Sequence, residues 1–384
     1  MNPSRAKRTL TKLLSVKWAV LLVAAAVLLF FGRVTDARSL SRTAIVTGLG
    51  IAAGEDGFAV SAELAVMTSE AGGSPSANYA VLTEKGATVS EAVERISQKA
   101  GLIVSLSHCN VLVLTKEALL AEGERLFAPL VQTYSLPEQA ILTATTGDPA
   151  DILSARLATA SAPSFYIQQL LSEGLSTEGM PLVSVKDFAA RLLSPSACVC
   201  LPVVEVREAE HQPQLPEGEG EGYSEIVAES GLVLTPSAGF LVDGETVKVR
   251  SLVTEKETSG RFCVTGEDGS RTEFLLLGAS SSAKAEGLRV SVFAELKVSF
   301  VESTGEDGAR LSPASDEIKR AADLLADELE SAIRGLFALS VRQNADMLGL
   351  TDAVFKKLGR DTPEDCLGRI AFDCSVEVTV KENS

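Results

Sequence analysis

Histidine is nearly missing from this chain: among 384 residues only His108 and His211 are present. Chemistry that needs an imidazole near neutral pH therefore has two candidates at most. Aromatic residues make up 5%, with a single tryptophan, while alanine is abundant, so the core is expected to be aliphatic. No P-loop, H-E-x-x-H or G-x-S-x-G pattern occurs, which excludes the commonest signatures of nucleotide hydrolysis, zinc proteolysis and serine hydrolysis. The six cysteines, Cys109, Cys198, Cys200, Cys263, Cys366 and Cys374, show no compact framework spacing for so long a chain. Cys366 and Cys374 are one candidate pair, and free thiols are the other reading. Positive charge is also short, with 35 basic against 51 acidic residues and a net charge of −16. Five of the basic residues (Arg5, Lys7, Arg8, Lys12, Lys17) lie within residues 1–17 without any acid, so the remainder carries −21. A body this acidic is a poor partner for nucleic acid, whose binding rests on neutralising phosphates.

What is present begins with a long apolar run. Trp18 to Phe31 is uninterrupted, and extension back to Leu13 meets only Ser15 and Lys17 among polar residues. A helix over the longer stretch reaches ~28 Å, near the thickness of a bilayer's hydrocarbon core. Lys17 can extend its ammonium to the interface. Thr35-Asp36-Ala37 is a poor cleavage site for a signal peptidase. Residues 13–32 are therefore expected to be an uncleaved signal anchor. The positive-inside rule places residues 1–12 in the cytoplasm and the body outside.

The body reads as α+β, with mixed or antiparallel sheets and helices packed on one face. Phe58, Val60, Ala62, Leu64 and Val66 alternate as a strand. Residues 69–80 read as a loop rich in serine, glycine and proline. Thr88 opens a helix that Gly101 closes, and further helices are expected near 118–133, 149–159, 163–174 and 184–193. Residues 206–225 hold mostly Glu, Pro and Gly and cannot bury a core. They are taken as a linker between a domain at 36–205 and another at 226–384. In the latter, Asp243-Gly244 reads as a hairpin turn. Alternation from Leu288 to Phe300 predicts a strand, and a stripe from Ile318 to Leu336 predicts a long helix capped by Ser312 or Ser315. Phe372 to Val380 alternate as a last strand. One long helix flanked by two one-sided strands suggests an antiparallel sheet.

No constellation for catalysis, cofactor binding or metal binding emerges. Gly48-Leu49-Gly50 lacks the spacing of a dinucleotide loop, and no helix follows to receive a pyrophosphate. Gly-Glu-Asp-Gly occurs at Gly54, Gly266 and Gly305, between expected strands, where turn chemistry accounts for it without a calcium ion. His108 and Cys109 are neighbours on extended chain, so their side chains point apart rather than form a nucleophile pair. His211 lies in the Glu/Pro stretch. Cys198 and Cys200 share one side of a strand but lack two further ligands for a tetrahedral metal, and read as packed thiols.

Several segments, in order, resemble one family: DARSLSRTAIVTGLGIA, GATVSEAVERIS, SHCNVLVLTKEAL, GDPADIL at Gly147, SGLVLTPSAGFLVDGETVKVRSLVTEKETSGRF, and NADMLGL at Asn344. Together they are similar to the Ger(x)C-type C subunits of spore nutrient germinant receptors. The chain departs from that family's pattern in four places. Arg33 stands after Gly32 where relatives carry the lipidated cysteine, the following tryptophan is missing, Ala52 replaces an aspartate, and the aromatics near the C-terminal Asp-x-x-Gly turn are absent. Without a thiol at position 33, attachment would depend on residues 13–32. The resemblance implies a non-enzymatic subunit on the outer face of the spore inner membrane. It also implies partnership with an A-type and a permease-like B-type membrane subunit. The alternative from the residues alone is an anchored small-molecule-binding protein, and a third class is an exported hydrolase using His108 or Cys109.

Overall fold

The computed structural model describes residues 43–68, 76–173, 179–209, 222–255, 258–311 and 314–381. The expected tail 1–12, the anchor 13–32, Arg33, Ser312 and His211 lie outside the described residues. Among those described, no helix is long and apolar enough to cross a membrane.

The alternating apolar run at 58–66 does form a strand, and it sits in an antiparallel trio: β1 (Thr43–Gly54), β2 (Gly57–Thr68) and β3 (Ser76–Gly86). The loop expected over 69–80 is shorter than its composition suggests, because Ser76 onward pairs with β2. Small residues are poor strand formers alone, yet an edge offered by β2 supplies the missing hydrogen bonds. On the other side of β1 come β5 (Val111–Thr115), β6 (Ile141–Thr145) and β7 (Val199–Glu208), all parallel to it. The antiparallel strands β8 (Ser224–Leu234) and β9 (Gly239–Asp243) finish the sheet, and the short β4 (Ile103–Ser105) pairs with β1.

This sheet is covered on both faces, not one. The run VLVL in β5 explains why. Leu112 and Leu114 join one core and Val111 and Val113 another, as the two-residue period of a strand requires. The first core packs against α1 (Val89–Ala100), α2 (Lys116–Glu122), α3 (Phe127–Tyr134) and α6 (Val185–Leu192). The second packs against α4 (Pro149–Leu153) and α5 (Pro163–Glu173).

The sheet also runs on across the expected boundary at 206–225. β7 and β8 are hydrogen-bonded neighbours from Val199↔Leu234 to Glu208↔Ser224, so the Glu/Pro stretch joins two strands of one sheet. Asp243-Gly244 is not a hairpin turn. Asp243 caps α7 (Gly244–Thr254), its Oδ1 accepting the N–H of Thr246 at 2.7 Å. The β-branched run in α7 has the propensity of a strand, but Val247, Lys248, Val249, Arg250, Ser251 and Leu252 are all buried there. Burial from several sides overrides that weak local preference.

The second sheet contains β10 (Arg261–Thr265), β11 (Arg271–Glu286), β12 (Arg289–Thr304), β13 (Arg310–Leu311) and β14 (Ala371–Lys381). Strand β14 pairs parallel with β12 from Arg289↔Ala371 to Ser299↔Lys381, so this sheet is mixed and not antiparallel. A parallel neighbour needs a long crossover, and α8 (Ser315–Gln343), α9 (Leu350–Leu358) and α10 (Cys366–Arg369) lie between the two strands. The stripe of α8 is buried at Leu325, Leu329, Ile333 and Leu336. Its cap position is Ala314, whose N–H donates to the Glu317 carboxylate at 2.8 Å. All three Gly-Glu-Asp-Gly copies are hairpin turns, joining β1 to β2, β10 to β11 and β12 to β13.

Candidate functional site

The two halves of a Cys–His pair are not brought together. His108 is exposed in the turn before β5, whereas the Cys109 thiol is buried and donates to the Val111 carbonyl at 3.4 Å. Burial pushes that thiol up to about 12, so the nucleophilic thiolate is disfavoured there. Cys198 and Cys200 both face the core that the second sheet shares with β7, and burial pushes the Cys198 thiol to about 12 as well. Cys366 and Cys374 are free, as are the other four cysteines. Among the described residues no group of three or more His, Cys, Asp or Glu is placed to hold a metal. Only Cys263 of the six is exposed. A thiol reagent such as dithionitrobenzoate should therefore titrate one equivalent natively and six after denaturation. Rapid native reaction of several thiols would contradict this packing.

The segments that carry the family resemblance serve as packing and capping devices. Gly48 and Gly50 lie inside β1, facing α4 and α5. A Cβ at Gly48 would stand 2.8 Å from Ser164 Cβ, and one at Gly50 would stand 2.6 Å from Pro149 Cβ. Glycine there lets two helices approach the strand closely. Thr88 caps α1 by accepting the Glu91 N–H, and Glu91 accepts the Ala87 N–H in return. Asp148 of GDPADIL caps α4 through the Ala150 N–H at 2.9 Å. Asp346 of NADMLGL is buried and accepts the N–H groups of Leu350 at 3.0 Å and Thr351 at 2.6 Å, which fixes the start of α9. Such caps satisfy helix N–H groups that otherwise lack partners.

Two buried centres are built on ionisable residues that no chemical motif of the sequence marks. Glu63 on β2 is fully buried and accepts from Thr47 Oγ1 at 2.6 Å, Ser164 Oγ at 2.7 Å and Ser164 N–H at 3.1 Å. It ties two strands to the first turn of α5. Burial raises its pKa, and the three hydrogen bonds only partly oppose that. A carboxylate amid the apolar and small residues of SAELAV was the available signal.

The second centre joins the first sheet's helices to α7. Arg191 on α6 forms a bidentate pair with Glu255, at 2.8 and 2.7 Å, and Arg250 on α7 reaches the same carboxylate at 3.0 Å. Burial alone would raise the Glu255 pKa, but the Arg191 hydrogen bonds and the charges of Arg250 and Arg191 outweigh it and hold it at about 2. Beside this centre, Asp352 on α9 accepts the Ser196 N–H at 2.9 Å and its hydroxyl at 3.0 Å. Residues far apart in sequence thus lock the end of the first sheet to the second. Glu255 lies in the polar string TEKETSG, where nothing marks it from its neighbours.

Comparison with known proteins agrees with this architecture. Residues 36–206 match the family model described as the spore germination protein N-terminal domain. That stretch holds the glycine-floored strand and the capped helices described above. Across the longer body, the chain is similar in fold to the crystal structure of the GerBC protein, with a TM-score of 0.52 at 12% identity. The similarity covers 87% of this chain and 97% of that one. Domain and fold together support the class the motifs imply, a Ger(x)C-type germination protein. No curated protein gives a significant match.

Proposed function

We propose that this chain is a non-enzymatic subunit of a spore germinant receptor, anchored at the membrane through residues 13–32 with its body outside the cytoplasm. It acts by docking on membrane partners of the A type and the permease-like B type, at the outer face of the spore inner membrane. The observation that carries this reading is the germination-protein domain over residues 36–206. The placement of the resembling motifs supports it. Their polar residues cap helices and their glycines admit them, so they maintain a shaped body whose function lies in its surfaces.

Spores lacking the gene are expected to lose or slow their response to at least one nutrient, with recovery on complementation. Co-purification of A- and B-type subunits with the tagged chain should accompany this. Normal germination with every nutrient tried would overturn the assignment. Mass spectrometry of the membrane fraction is expected to find intact residues 13–32. A soluble chain starting near Arg38 would overturn the anchor.

A further inference from the structure

A cavity of about 640 Å³ opens between α6, α7, the end of β11 and the turn into α9. Its charge opposes that of the whole chain. The protein has 51 acidic and 35 basic residues, yet among the described residues the cavity wall holds Arg191, Arg250, Lys284, Lys356 and Lys357 against Asp346 and Asp352. Both of those acids are engaged already, Asp346 by the N–H groups at the start of α9 and Asp352 by Ser196. At the inner end, Arg191 and Arg250 share the single carboxylate of Glu255. Arg250 is 4% exposed, and its Nε has no hydrogen-bond partner among the described residues.

Arg191 has the exposed Asp187 near it as well as Glu255, whereas Arg250 has only its share of the Glu255 carboxylate among the described residues, so Arg250 is the less fully countered charge where water is scarce. Buried charge is costly unless a counter-charge and hydrogen bonds accompany it. Lys356 and Lys357 lie exposed at the cavity's mouth, where the field of a basic recess can draw an anion inward from an acidic surface.

We propose that this cavity binds a small oxyanion, a carboxylate or phosphate group, with Arg191 and Arg250 at its inner end and Lys356 and Lys357 at its mouth. Guanidinium groups suit planar carboxylate and phosphate oxygens because they present several N–H donors in a fixed fork. The site does not depend on the receptor reading, because it rests on the charge and geometry of the cavity alone.

The test uses the full chain in non-ionic detergent, with inorganic phosphate or acetate added at fixed ionic strength. At least one probe is expected to raise the melting temperature saturably, by about 2 °C at ten times its dissociation constant. The variant K356Q/K357Q removes exposed charges and should weaken apparent affinity roughly 3- to 10-fold. The variant K85Q/K99Q removes two charges outside the cavity and should leave affinity unchanged. Competition between phosphatidylglycerol vesicles and phosphate would assign the anion to a lipid headgroup, and lack of competition to a free solute; both support the site. Absence of a saturable shift with either probe, or equal weakening in the two variants, would overturn it.

Discussion

Replacing Glu255 by alanine is expected to destabilise the protein by about 3–5 kcal/mol, because it strands two guanidiniums that now share one carboxylate. Arg250 has a side chain only 5% exposed, and Glu255 is 12% exposed, so water compensates little. The same contacts set the acid dependence. The Glu255 pKa falls from an ordinary 4.5 to about 2, and a displacement of that size corresponds to about 3 kcal/mol. The sign follows from the direction. A carboxyl whose folded pKa is depressed contributes stability above its unfolded value, and loses that contribution as pH falls through the folded one. The wild-type chain should therefore weaken between about pH 4.5 and 2, and Glu255→Ala should lose that part of the acid dependence. Urea unfolding at pH 7 and at pH 3 measures both effects. A variant as stable as wild type at pH 7, with an unchanged acid limb, would show that the centre does not join the sheets as described.

The double substitution Gly48→Ala/Gly50→Ala should cost about 2–5 kcal/mol, from overpacking of about 1–3 kcal/mol at each position. The two are close enough for their effects to be coupled. The new methyl groups would press on Ser164, Leu153 and Pro149, where the nearest atoms stand 2.6–2.9 Å from the added carbons. Relief requires α4 and α5 to move away from β1. Thermal unfolding measures the loss. If the glycines instead served a phosphate, the variant would remain stable and lose nucleotide binding, an outcome that would overturn the packing account.

Much of the fold was legible where one face of an element meets one core. The strand from Leu288 to Phe300 shows its period because alternate residues, among them Val290, Val292, Ala294, Leu296 and Val298, are buried. Helix α1 shows its stripe of Val89, Ala92, Val93 and Ile96, and its Thr88 cap and Gly101 stop, for the same reason. Legibility failed where burial came from several sides. Segment α7 looked like half a hairpin because its valines suit a strand, whereas its surroundings bury nearly every residue in its middle. The stretch at 206–225 looked like a domain linker because its composition cannot form a core, but composition carries no information about whether the flanking strands pair. Glu63 left a trace in its apolar strand, while Glu255 left none, since a salt-bridge partner 64 residues away in the chain has no local signature.

By itself the sequence determined the acidic body, the aliphatic core, the strand and helix periods, the turn character of the three Gly-Glu-Asp-Gly copies and the order of the germination-family motifs. These properties are local or compositional, so each window of chain carries its own signal. Only the tertiary structure decided that β14 lies parallel to β12, that helices cover both faces of the first sheet, that Asp243 starts a helix, and that Arg191, Arg250 and Glu255 meet beside a basic cavity. Strand pairing and buried charge depend on which distant surfaces remain to be covered and which charges remain to be neutralised, and those conditions exist only once the chain has folded.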